Sequence, residues 1–374
     1  MANYDERYAF IAEWYDPNAA LVRRYQLLFY PKDQTLEMYD IKNRRVFLKR
    51  SKYESIASKD LYIGSIVNVH SRQLSLVEYG DQYTKNKLAT VHSKTLAIIK
   101  PDAFARMGEI INIIQSEEFV ICQAKMVQLS RREAMEFYAE HEGKPFFEGL
   151  VDFMTSGPAV AMELMAHDAI KKWRSLLGPT NTLKAREEAP GSIRAIFGSD
   201  GTRNACHGSD SGASAERESN FFFEFKKGRN TAIFGDTTLC IIKPHAIKEQ
   251  LAGKIITTIM NSEFKITALK MCHLEKANAE EFLEIYKGVV GEYSEMVSEL
   301  CSGSCIVMEI SYPDQPQEFR EFVGPADPEI ARHLRPRTLR ARFGMDKIKN
   351  AIHCTDLPDD GPLEVEYFFK ILDS

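Results

Sequence analysis

The chain has no long apolar segment, no ordered cysteine pattern and no apolar leader. No apolar run approaches the ~20 residues that a membrane-spanning helix needs. The seven cysteines include no Cys-x-x-Cys pair, which argues against a disulfide framework or a zinc module and favours a reducing compartment. Residues 1–10 are charged and lack the apolar centre of a signal peptide. We therefore expect a soluble, intracellular protein with no membrane partner.

Positive charge is also scarce. The 48 lysines and arginines are outnumbered by 53 aspartates and glutamates, and there is no basic tail and no basic cluster with interleaved aromatic residues. Two short basic stretches, residues 42–45 and 332–342, are interpreted as solvated faces. The charge distribution therefore argues against a nucleic-acid partner.

The N-terminal quarter of the chain has the composition of a small β domain. With 374 residues, the chain should hold two or three domains. Residues 1–91 contain short β-branched and aromatic runs separated by turn residues, which predict an antiparallel sheet. They contain no acid–base pair, metal cluster or phosphate loop. We interpret residues 1–91 as a binding module.

The remainder of the chain contains two copies of one unit. Residues 92–235 predict the element order β-α-β-α-α-β-α, which is typical of a ferredoxin-like α/β sandwich with an antiparallel sheet. Residues 236–374 repeat it, since Leu-Ala-Ile-Ile-Lys-Pro at 96–101 returns as Leu-Cys-Ile-Ile-Lys-Pro at 239–244. Residues 226–230 are interpreted as a short polar joint. The predicted fold class is α+β, with a small antiparallel β domain followed by two ferredoxin-like repeats.

Each repeat carries a histidine in a short polar turn. The stretch Asn-Ala-Cys-His-Gly-Ser-Asp at 204–210 returns as Asn-Ala-Ile-His-Cys-Thr-Asp at 350–356, and a glutamate follows each histidine by eleven positions. The resulting pairs are His207 with Glu218 and His353 with Glu364. Residues 214–219 are interpreted as the start of the helix that carries the first glutamate. A histidine oriented by a carboxylate is a potential nucleophile near neutral pH.

Separated cations accompany the histidine. In the first repeat these are Lys100 at a strand end, Arg174 before a Gly-Pro pair, and Arg194. Several cations around one oriented histidine suit a polyphosphate, which lysine meets as a point charge and arginine as a planar donor. The chain has no Gly-x-x-x-x-Gly-Lys-Ser/Thr loop, so side chains and a magnesium ion would have to offset the phosphate charge. Attack by the imidazole would give a phosphohistidine.

The motif Asn-x-x-His-Gly-Ser-Asp, the downstream glutamate and the upstream Ile-Lys-Pro-Asp carry a family resemblance. Residues 92–374 resemble two tandem nucleoside diphosphate kinase domains, behind a small DM-type domain. The resemblance implies exchange of a γ-phosphate between nucleoside tri- and diphosphates by a ping-pong route. It implies magnesium held by the nucleotide's phosphates, with no protein metal ligand.

The resemblance also implies a role for each matching residue of the first repeat. The catalytic group comprises the phosphorylated nucleophile His207, the ring-orienting Glu218 with Ser209, the neighbouring Tyr138, and Lys100, which faces the travelling phosphate. The nucleotide-binding group comprises Lys100 and Asn204 on the sugar hydroxyls, Arg174, Thr180 and Arg194 on the phosphates, and Phe146 stacked on the base. Asp210 matches a supporting position. Stacking without contacts to base edges implies tolerance of different bases.

The second repeat departs from this pattern. Matching positions are held by Lys243, Tyr286, Arg320, Arg340, Asn350, His353, Thr355 and Glu364. The departures replace Asp102 with His245, Thr180 with Ala326, which removes a phosphate hydroxyl, and Gly208 with Cys354, which adds a side chain where the backbone was bare. The segment that should carry the stacking phenylalanine is shorter, and Tyr293 is its only aromatic substitute. We expect an impaired second site that serves mainly as scaffold.

The resemblance bears on assembly and location as well. Members of the family are typically hexamers, but two repeats in one chain can imitate the family dimer, and residues 180–194 contain additional residues in a loop used for trimer contacts. We expect a monomer with an internal pseudo-dimer. The resemblance implies association with tubulin, γ-tubulin ring complexes, centrosomes and spindle, and the doublet microtubules of ciliary axonemes. The alternative is a mainly structural microtubule inner protein with vestigial kinase activity; protein-histidine kinase and metal-dependent hydrolysis are less favoured.

Overall fold

The computed structural model describes residues 6–311 and 317–372. The chain divides into two compact units, Met1–Ser93 and Lys94–Ser374. The first five residues of the charged N-terminal segment lie outside the described residues. In the described part of the chain, every helix is too short or too polar to cross a membrane. The domain boundaries placed after residues 91 and 235 stay predictions.

The first unit is an antiparallel half-barrel of six strands in the order β4-β3-β2-β1-β6-β5. Along the second strand, Tyr25, Leu27 and Phe29 are buried and the residues between them are not, the period-two pattern of a sheet with one covered face. The predicted antiparallel β domain is confirmed, and a short helix α1 closes it. Its elements are β1 (Tyr8–Asp16), β2 (Leu21–Tyr30), β3 (Thr35–Asp40), β4 (Arg45–Lys52), a 3-10 turn (Ser58–Asp60), β5 (Ile66–Val69), β6 (Arg72–Tyr79) and α1 (Gln82–Leu88).

The second unit is built on one nine-stranded sheet shared by both repeats. The first repeat has the strand order β10-β7-β9-β8 and the second has β15-β12-β14-β13, the same order of equivalent strands. This confirms the ferredoxin-like fold of both repeats. The strands are β7 (Ser93–Ile99), β8 (Val120–Gln128), β9 (Ala159–Ala166), β10 (Cys206–Gly208), β11 (Arg229–Asn230), β12 (Thr237–Ile242), β13 (Lys265–His273), β14 (Ser304–Ser311) and β15 (Ile352–Cys354).

Helices cover both faces of this sheet, which is why all eight residues of β9 are buried. The first repeat contains α2 (Met107–Ser116), α3 (Arg131–Phe137), α4 (Phe147–Met154), α5 (Ala169–Leu177), α6 (Thr182–Glu188), α7 (Ile193–Phe197) and α8 (Gly212–Phe223), with 3-10 turns at Pro101–Arg106 and Ala139–His141. The second contains α9 (Pro244–Lys248), α10 (Ala252–Met260), α11 (Lys276–Phe282), α12 (Tyr293–Leu300), α13 (Gln317–Val323), α14 (Pro328–Leu334), α15 (Leu339–Phe343) and α16 (Gly361–Glu366), with 3-10 turns at Glu284–Tyr286 and Pro358–Asp360 and a π-helical turn at Tyr367–Ile371.

The helix that carries Glu218 begins earlier than the sequence interpretation placed it. Helix α8 starts at Gly212, and the hydroxyl of Ser211 accepts a hydrogen bond from the backbone N–H of Ser214. Serine is a preferred N-cap because its oxygen satisfies an otherwise unpaired N–H of the first turn. Ser214 is therefore the third residue of the helix, and the cap is Ser211.

The two repeats are joined edge to edge. Strands β8 and β13 pair antiparallel with Lys125 opposite Lys270. Beside this seam α2 packs on α10, where a Cβ added to Gly108 would lie 2.5 Å from the backbone nitrogen of Thr257. Only glycine allows this approach of the two helices. The seam supports the pseudo-dimer interpretation, while the monomeric state stays a prediction.

The joint between the repeats, residues 226–230, contributes a short strand to the sheet. Residues Arg229 and Asn230 form β11 and pair with β8. The side-chain amide of Asn230 donates to the carbonyl of Phe369 at 3.0 Å. Backbone pairing to a strand is available to any sequence, so the polar composition of the joint does not prevent it. The joint therefore ties the C-terminal end of the second repeat to the first.

Candidate active site

The candidate nucleophile follows a strained backbone turn. Ala205 has a φ of 68°, and the N–H of Cys206 donates to the carbonyl of Asn204 at 2.8 Å. A non-glycine residue at positive φ is unusual and persists only where its surroundings hold it. Here Asp102 Oδ2 accepts from the N–H of Ala205 at 3.0 Å, and the N–H of Lys100 donates to the carbonyl of Ala205 at 2.8 Å. The turn therefore locks the position of β10, whose central residue is His207.

A buried carboxylate orients the ring of His207. Its Nε2 lies 2.8 Å from Glu218 Oε2, and the hydroxyl of Ser209 donates to the same oxygen at 2.7 Å. Burial acts to raise the pKa of Glu218, but the hydrogen bonds and charge of its neighbours outweigh it and the pKa is lowered. Glu218 is therefore an acceptor, which assigns the ring proton to Nε2 and leaves a lone pair on Nδ1.

Aromatic residues fix the other sides of the ring. Phe137 and Tyr138 meet His207 edge-on, with centroids 5.5 Å and 6.1 Å away. The indole N–H of Trp173 donates to the carbonyl of His207 at 3.1 Å. The Tyr138 hydroxyl is buried and has no hydrogen-bond partner among the described residues, and burial raises its pKa. It is a neutral donor held beside the nucleophile.

Lys100 is buried at the end of β7, close to the turn. Its Nζ donates to Asn204 Oδ1 at 2.7 Å and to the carbonyl of Thr202 at 3.2 Å. Burial, reinforced by the positive charge of Arg194, lowers the pKa of Lys100 to about 8. Lys100 and Asn204 thus form one polar unit.

Arg194 on α7 is a cation with a spare donor. Its Nη1 donates to the carbonyl of Gly178 at 2.9 Å and its Nη2 to that of Cys206 at 3.2 Å. Its Nε is buried and has no hydrogen-bond partner in the described part of the chain. No described carboxylate lies in ion-pair range, and burial lowers the pKa of this arginine. A guanidinium held in this way is suited to an anionic ligand.

The remaining predicted residues lie on the exposed rim. Arg174 and Thr180 are exposed, and the Thr180 hydroxyl accepts from Arg194 Nη1 at 3.4 Å. Phe146 is 49% exposed. It is linked to the nucleophile through a row of rings, because Phe146 lies 5.6 Å from His141, which stacks at 6.2 Å on Tyr138. The structure thus brings the polar centre together and leaves a phosphate-side rim and an aromatic rim open to solvent.

Two contributors to this site were not singled out from the sequence, and the role of a third was not foreseen. Phe137 and Trp173 position His207 and its backbone, and Asp102 holds the strained Ala205. Asp102 was visible in the Ile-Lys-Pro-Asp run, but its partner is 103 residues away. Nothing in the composition of the segment signals that Ala205 adopts positive φ. These contacts depend on tertiary geometry.

The histidine of the second repeat is less well oriented. His353 Nε2 is 3.5 Å from Glu364 Oε2 and has no hydrogen-bond partner among the described residues. Thr355 donates to Glu364 at 2.8 Å, as Ser209 does to Glu218. The His353 side chain is 9% exposed, against 20% for His207.

One cation of the second repeat is occupied by a carboxylate. Arg320 pairs with Asp356 at 3.1 Å, and the hydroxyl of Tyr286 donates to the same carboxylate at 2.6 Å. Arg340 donates from Nε to the carbonyl of Ile352 at 3.0 Å and from Nη1 to that of Gly324 at 2.9 Å, the equivalents of the two carbonyls that Arg194 contacts. Lys243 Nζ donates to the carbonyl of Ile348 at 2.9 Å, and no partner is described for Asn350 Oδ1.

Two of the expected departures prove to be compensated. His245 replaces Asp102 without loss, because its Nε2 accepts from the N–H of Ala351 at 3.2 Å while Nδ1 meets Glu299 at 2.7 Å. Ala351 repeats the φ of 68° seen at Ala205.

The side chain added by Cys354 is buried. A Cβ at Gly208 would lie 2.5 Å from Trp173 Cδ1, so the first repeat requires glycine. The position equivalent to Trp173 is Phe319, whose smaller ring leaves room for the buried Cys354.

Tyr293 is not a substitute for the stacking phenylalanine. It begins α12 as Phe147 begins α4, is half-buried, and donates its hydroxyl to the carbonyl of Glu280 at 3.2 Å. The residue equivalent to Phe146 is therefore Glu292. The second repeat lacks an aromatic base platform at this point.

Cavity size does not identify the nucleophile. A cavity of about 450 Å³ borders Arg320, Arg340 and Asp356 of the second repeat. Another of about 610 Å³ lies beside Asp102 and Arg203 of the first repeat, with His207 outside its lining. We therefore locate the site by its hydrogen bonds and charges rather than by volume.

Together, the repeated ferredoxin-like fold and the oriented histidine among cations are typical of histidine-dependent phosphotransferases. Residues 93–227 and 236–373 each match the family model described as nucleoside diphosphate kinase, and residues 2–90 match the nucleoside diphosphate kinase 7 N-terminal PH domain. The chain belongs to the nucleoside diphosphate kinase family.

Known relatives match along different lengths of the chain. This chain is 57% identical to nucleoside diphosphate kinase homolog 7 of Mus musculus and 57% identical to that of Rattus norvegicus. Each match covers 100% of this chain and 95% of the relative. The chain is 35% identical to thioredoxin domain-containing protein 3 of Homo sapiens over 70% of this chain and 42% of that protein. The solved Aquifex aeolicus nucleoside diphosphate kinase is 45% identical over 37% of this chain and 99% of its own, with a TM-score of 0.35.

Proposed function

We propose that the first repeat moves a terminal phosphate between nucleotides through a phosphohistidine at Nδ1 of His207. The observation that carries this proposal is the 2.8 Å contact between His207 Nε2 and Glu218, which leaves Nδ1 as the ring nitrogen with a lone pair. The partly exposed ring can be reached from solvent, since its side chain is 20% exposed. Nucleoside di- and triphosphates are the substrates that this site would take.

The transfer takes place in two halves. The Nδ1 lone pair attacks the terminal phosphorus, the bond to the bridging oxygen breaks, and the nucleoside diphosphate leaves with that electron pair. The ring becomes cationic as the N–P bond forms, so the hydrogen bond from Nε2 to Glu218 strengthens in the transition state. A second diphosphate then attacks the phosphohistidine and regenerates the ring.

The buried and the exposed cations would bind the phosphates in different ways. Lys100 and Arg194 are held in place by backbone and amide oxygens before the substrate arrives, so their charge is preorganised. Arg174 is exposed and can adjust to the outer phosphates with Thr180. Tyr138 offers its unpartnered hydroxyl on the nucleophile side.

The base would stack on Phe146. Its exposed ring offers a π-face, and stacking of this kind does not read hydrogen-bonding edges. We infer that the first repeat accepts purine and pyrimidine nucleotides alike.

Magnesium is inferred to enter with the nucleotide. The carboxylate described in contact with His207 is that of Glu218, and it is occupied by His207 and Ser209. No group of three metal-ligating residues occurs in the described part of the chain. Bound to the phosphates, the ion would neutralise part of their charge.

We infer that the second repeat is catalytically impaired and serves mainly as scaffold. Its nucleophile is 3.5 Å from Glu364, and Arg320 is engaged by Asp356. It contributes β13 to the shared sheet, which covers the edge that β8 would otherwise expose. We also infer that the chain is monomeric, and a light-scattering mass of six chains would contradict this.

The test is labelling with γ-³²P-ATP. The wild-type chain should acquire an acid-labile, base-stable phosphate. His207→Ala should abolish this labelling, whereas His353→Ala, the matched change in the second repeat, should leave most of it. Full labelling of the His207→Ala variant would show that the phosphate is carried elsewhere.

We further propose that the unit Met1–Ser93 attaches the chain to microtubule structures: γ-tubulin ring complexes, centrosomes and spindle, and ciliary axonemes, within the cytoplasm. Two features support this besides the family resemblance. The unit has its own core, and its edge strand β4 exposes Arg45, Lys49 and Lys52, which suit an acidic surface. In the alternative, this structural role is the main one and the kinase activity is vestigial.

Attachment and catalysis can be tested separately. Reversal of charge at Arg45, Lys49 and Lys52, or deletion of residues 1–91, should release the chain from microtubules and leave phosphate labelling intact. Unchanged localisation of both variants would exclude this division of labour. Normal localisation and function of His207→Ala in ciliated cells would favour the structural alternative.

A further inference from the structure

Two cysteines of the second repeat lie opposite each other on neighbouring strands. Cys272 on β13 is the register partner of Cys305 on β14, and their Sγ atoms are 3.6 Å apart. Both residues are thiols in the structure. Directly opposed residues of antiparallel strands have Cβ atoms about 4.5–5.5 Å apart, and a disulfide needs about 3.5–4.5 Å. A small shift therefore suffices to join the two sulfurs.

The two cysteines differ in burial. Cys305 is fully buried, whereas Cys272 is half-buried at the end of its strand. The contact with Cys272, together with burial, raises the pKa of Cys305 well above its ordinary value. Cys272 is thus the residue that a small oxidant can reach first, with Cys305 held behind it as the resolving thiol.

The first repeat shows that packing does not require cysteine at these positions. The equivalent register pair is Val127 on β8 and Ala159 on β9. Valine and alanine fill the same place in the same fold, so the thiols are not needed to complete the core. The pair adds a chemical property that the first repeat lacks.

We propose that Cys272 and Cys305 form a reversible disulfide when the protein meets a hydroperoxide. The sulfur of Cys272 attacks a peroxide oxygen, the O–O bond breaks, and the departing oxygen takes up the thiol proton and leaves as water. Cys305 then attacks the resulting sulfenic sulfur and a second water leaves. Two thiols lose two electrons and two protons, and hydrogen peroxide is reduced to two waters.

The bond would tether the helices that cover the second candidate site. The segment between the two cysteines contains α11, the 3-10 turn at Glu284–Tyr286 and α12. Within it, Phe282 meets the ring of His353 at 5.0 Å and Tyr286 donates to Asp356 at 2.6 Å. Closing this loop removes conformational freedom from the open forms of the segment. Oxidation would therefore hold these helices against the sheet.

The experiment treats the folded, full-length protein with hydrogen peroxide. Remaining thiols are then alkylated under denaturing conditions, and a non-reducing digest is analysed by mass spectrometry. The expected product joins the peptides of Cys272 and Cys305, is lighter than their sum by two hydrogen atoms, and disappears after treatment with dithiothreitol.

The controls come from the chain itself. Cys272→Val and Cys305→Ala introduce the residues of the first repeat, so both variants should fold and neither should form the linked product. Cys240 and Cys354 form a second cross-strand register pair but are buried from solvent on both sides, and they should remain alkylated as thiols. Linkage of that pair instead, persistence of Cys272 and Cys305 as thiols, or arrest at a sulfinic acid would overturn the proposal.

A second readout tests the tethering. Limited proteolysis between residues 273 and 304 should be several-fold slower in the oxidised protein than in the reduced protein, and Cys272→Val should not respond to peroxide. Equal cleavage of the linked and reduced forms would overturn the tethering role.

Discussion

The two repeats contain nearly the same polar residues but use them differently. In the first repeat, the Tyr138 hydroxyl is buried without a described partner. In the second, the equivalent hydroxyl of Tyr286 donates to Asp356, and the same carboxylate pairs with Arg320. A donor already satisfied by protein gains little from a ligand, because binding must first break the existing hydrogen bond. The first site is prepared for an anion, and the second is largely self-satisfied.

The difference between the two sites does not arise from the substitutions that were singled out in the sequence. Asp210 and Asp356 are the same residue type at equivalent positions. Hydrogen bonds from Ser214 and Ser211 hold the pKa of Asp210 below its usual range. Leu357 and Asp360 stand at the equivalent positions of the second repeat. Without those hydroxyls, Asp356 instead pairs with Arg320 and accepts from Tyr286.

The largest expected difference between the repeats concerns their lysines. Lys100→Ala should lower kcat/KM for phosphate transfer by about 10²–10³-fold, since it removes a preorganised donor worth about 3–4 kcal/mol to the transition state. Lys243→Ala, the matched change, should alter it less than twofold. Steady-state exchange between ATP and a second diphosphate measures both. A comparable loss in the two variants would show that both repeats are active.

The packing of glycine against tryptophan gives the next prediction. Gly208→Cys should destabilise the chain by about 1–3 kcal/mol, because its Cβ overlaps Trp173. Adding Trp173→Phe, which installs the pair found in the second repeat as Phe319 and Cys354, should recover part of this loss. Denaturant unfolding of the two single variants and the double variant measures the coupling. If the losses simply add, size exchange does not explain how the second repeat accommodates Cys354.

Much of this architecture could be predicted from the sequence. The element order predicted the ferredoxin-like repeats, and the equal spacing of His207–Glu218 and His353–Glu364 predicted two histidine–glutamate pairs. These features are local or repeat at constant offsets, so they survive in a linear pattern. The roles carried over from the family stay predictions, although the geometry places Lys100 and Asn204 together.

The errors arose where a contact depends on a distant partner. The replacement of Asp102 by His245 suggested erosion, yet the imidazole accepts the same backbone N–H once Glu299 fixes its other nitrogen. Tyr293 was named as the substitute for the stacking phenylalanine because it lies in the corresponding stretch of sequence, but it begins helix α12. Neither the positive φ of Ala205 nor the capture of Arg320 has a local signature. Such features require the folded geometry.

A pH series should separate the role of Lys100 in phosphate transfer from its effect on the stability of the folded chain. Burial lowers its pKa from 10.5 to about 8, so the charged form is lost as pH rises through that value. The kcat/KM should therefore fall about tenfold per pH unit above about 8, while kcat should fall at higher pH because bound phosphate favours the charged form.

The contribution of Lys100 to stability changes with pH in the opposite direction to kcat/KM. The unfolded chain binds more protons than the folded chain between about pH 8 and 10.5 at this residue, so its contribution to the free energy of unfolding rises with pH there. Lys100→Met should flatten that rise in denaturant unfolding. Parallel pH profiles of stability in the wild type and Lys100→Met would exclude a lowered pKa.

The smallest expected effect tests whether the ion pair with Asp356 keeps Arg320 from binding the nucleotide. Asp356→Ala removes the carboxylate that pairs with Arg320 and accepts from Tyr286, while the backbone carbonyl of residue 356, which accepts from Arg320 Nη1 at 3.1 Å, stays in place, as do His353, Lys243 and Arg340. Because a partly exposed ion pair is worth about 0.2–1 kcal/mol, affinity of the second repeat for ATP should rise by only about twofold to fivefold. Calorimetric titration in a Lys100→Ala background isolates that site. Asp210→Ala with Lys243→Ala is the matched control and should show no gain, since Asp210 does not pair with Arg174 in the first repeat. An unchanged affinity after Asp356→Ala would show that the second repeat binds ATP weakly because it lacks a base platform, and not because Asp356 occupies Arg320.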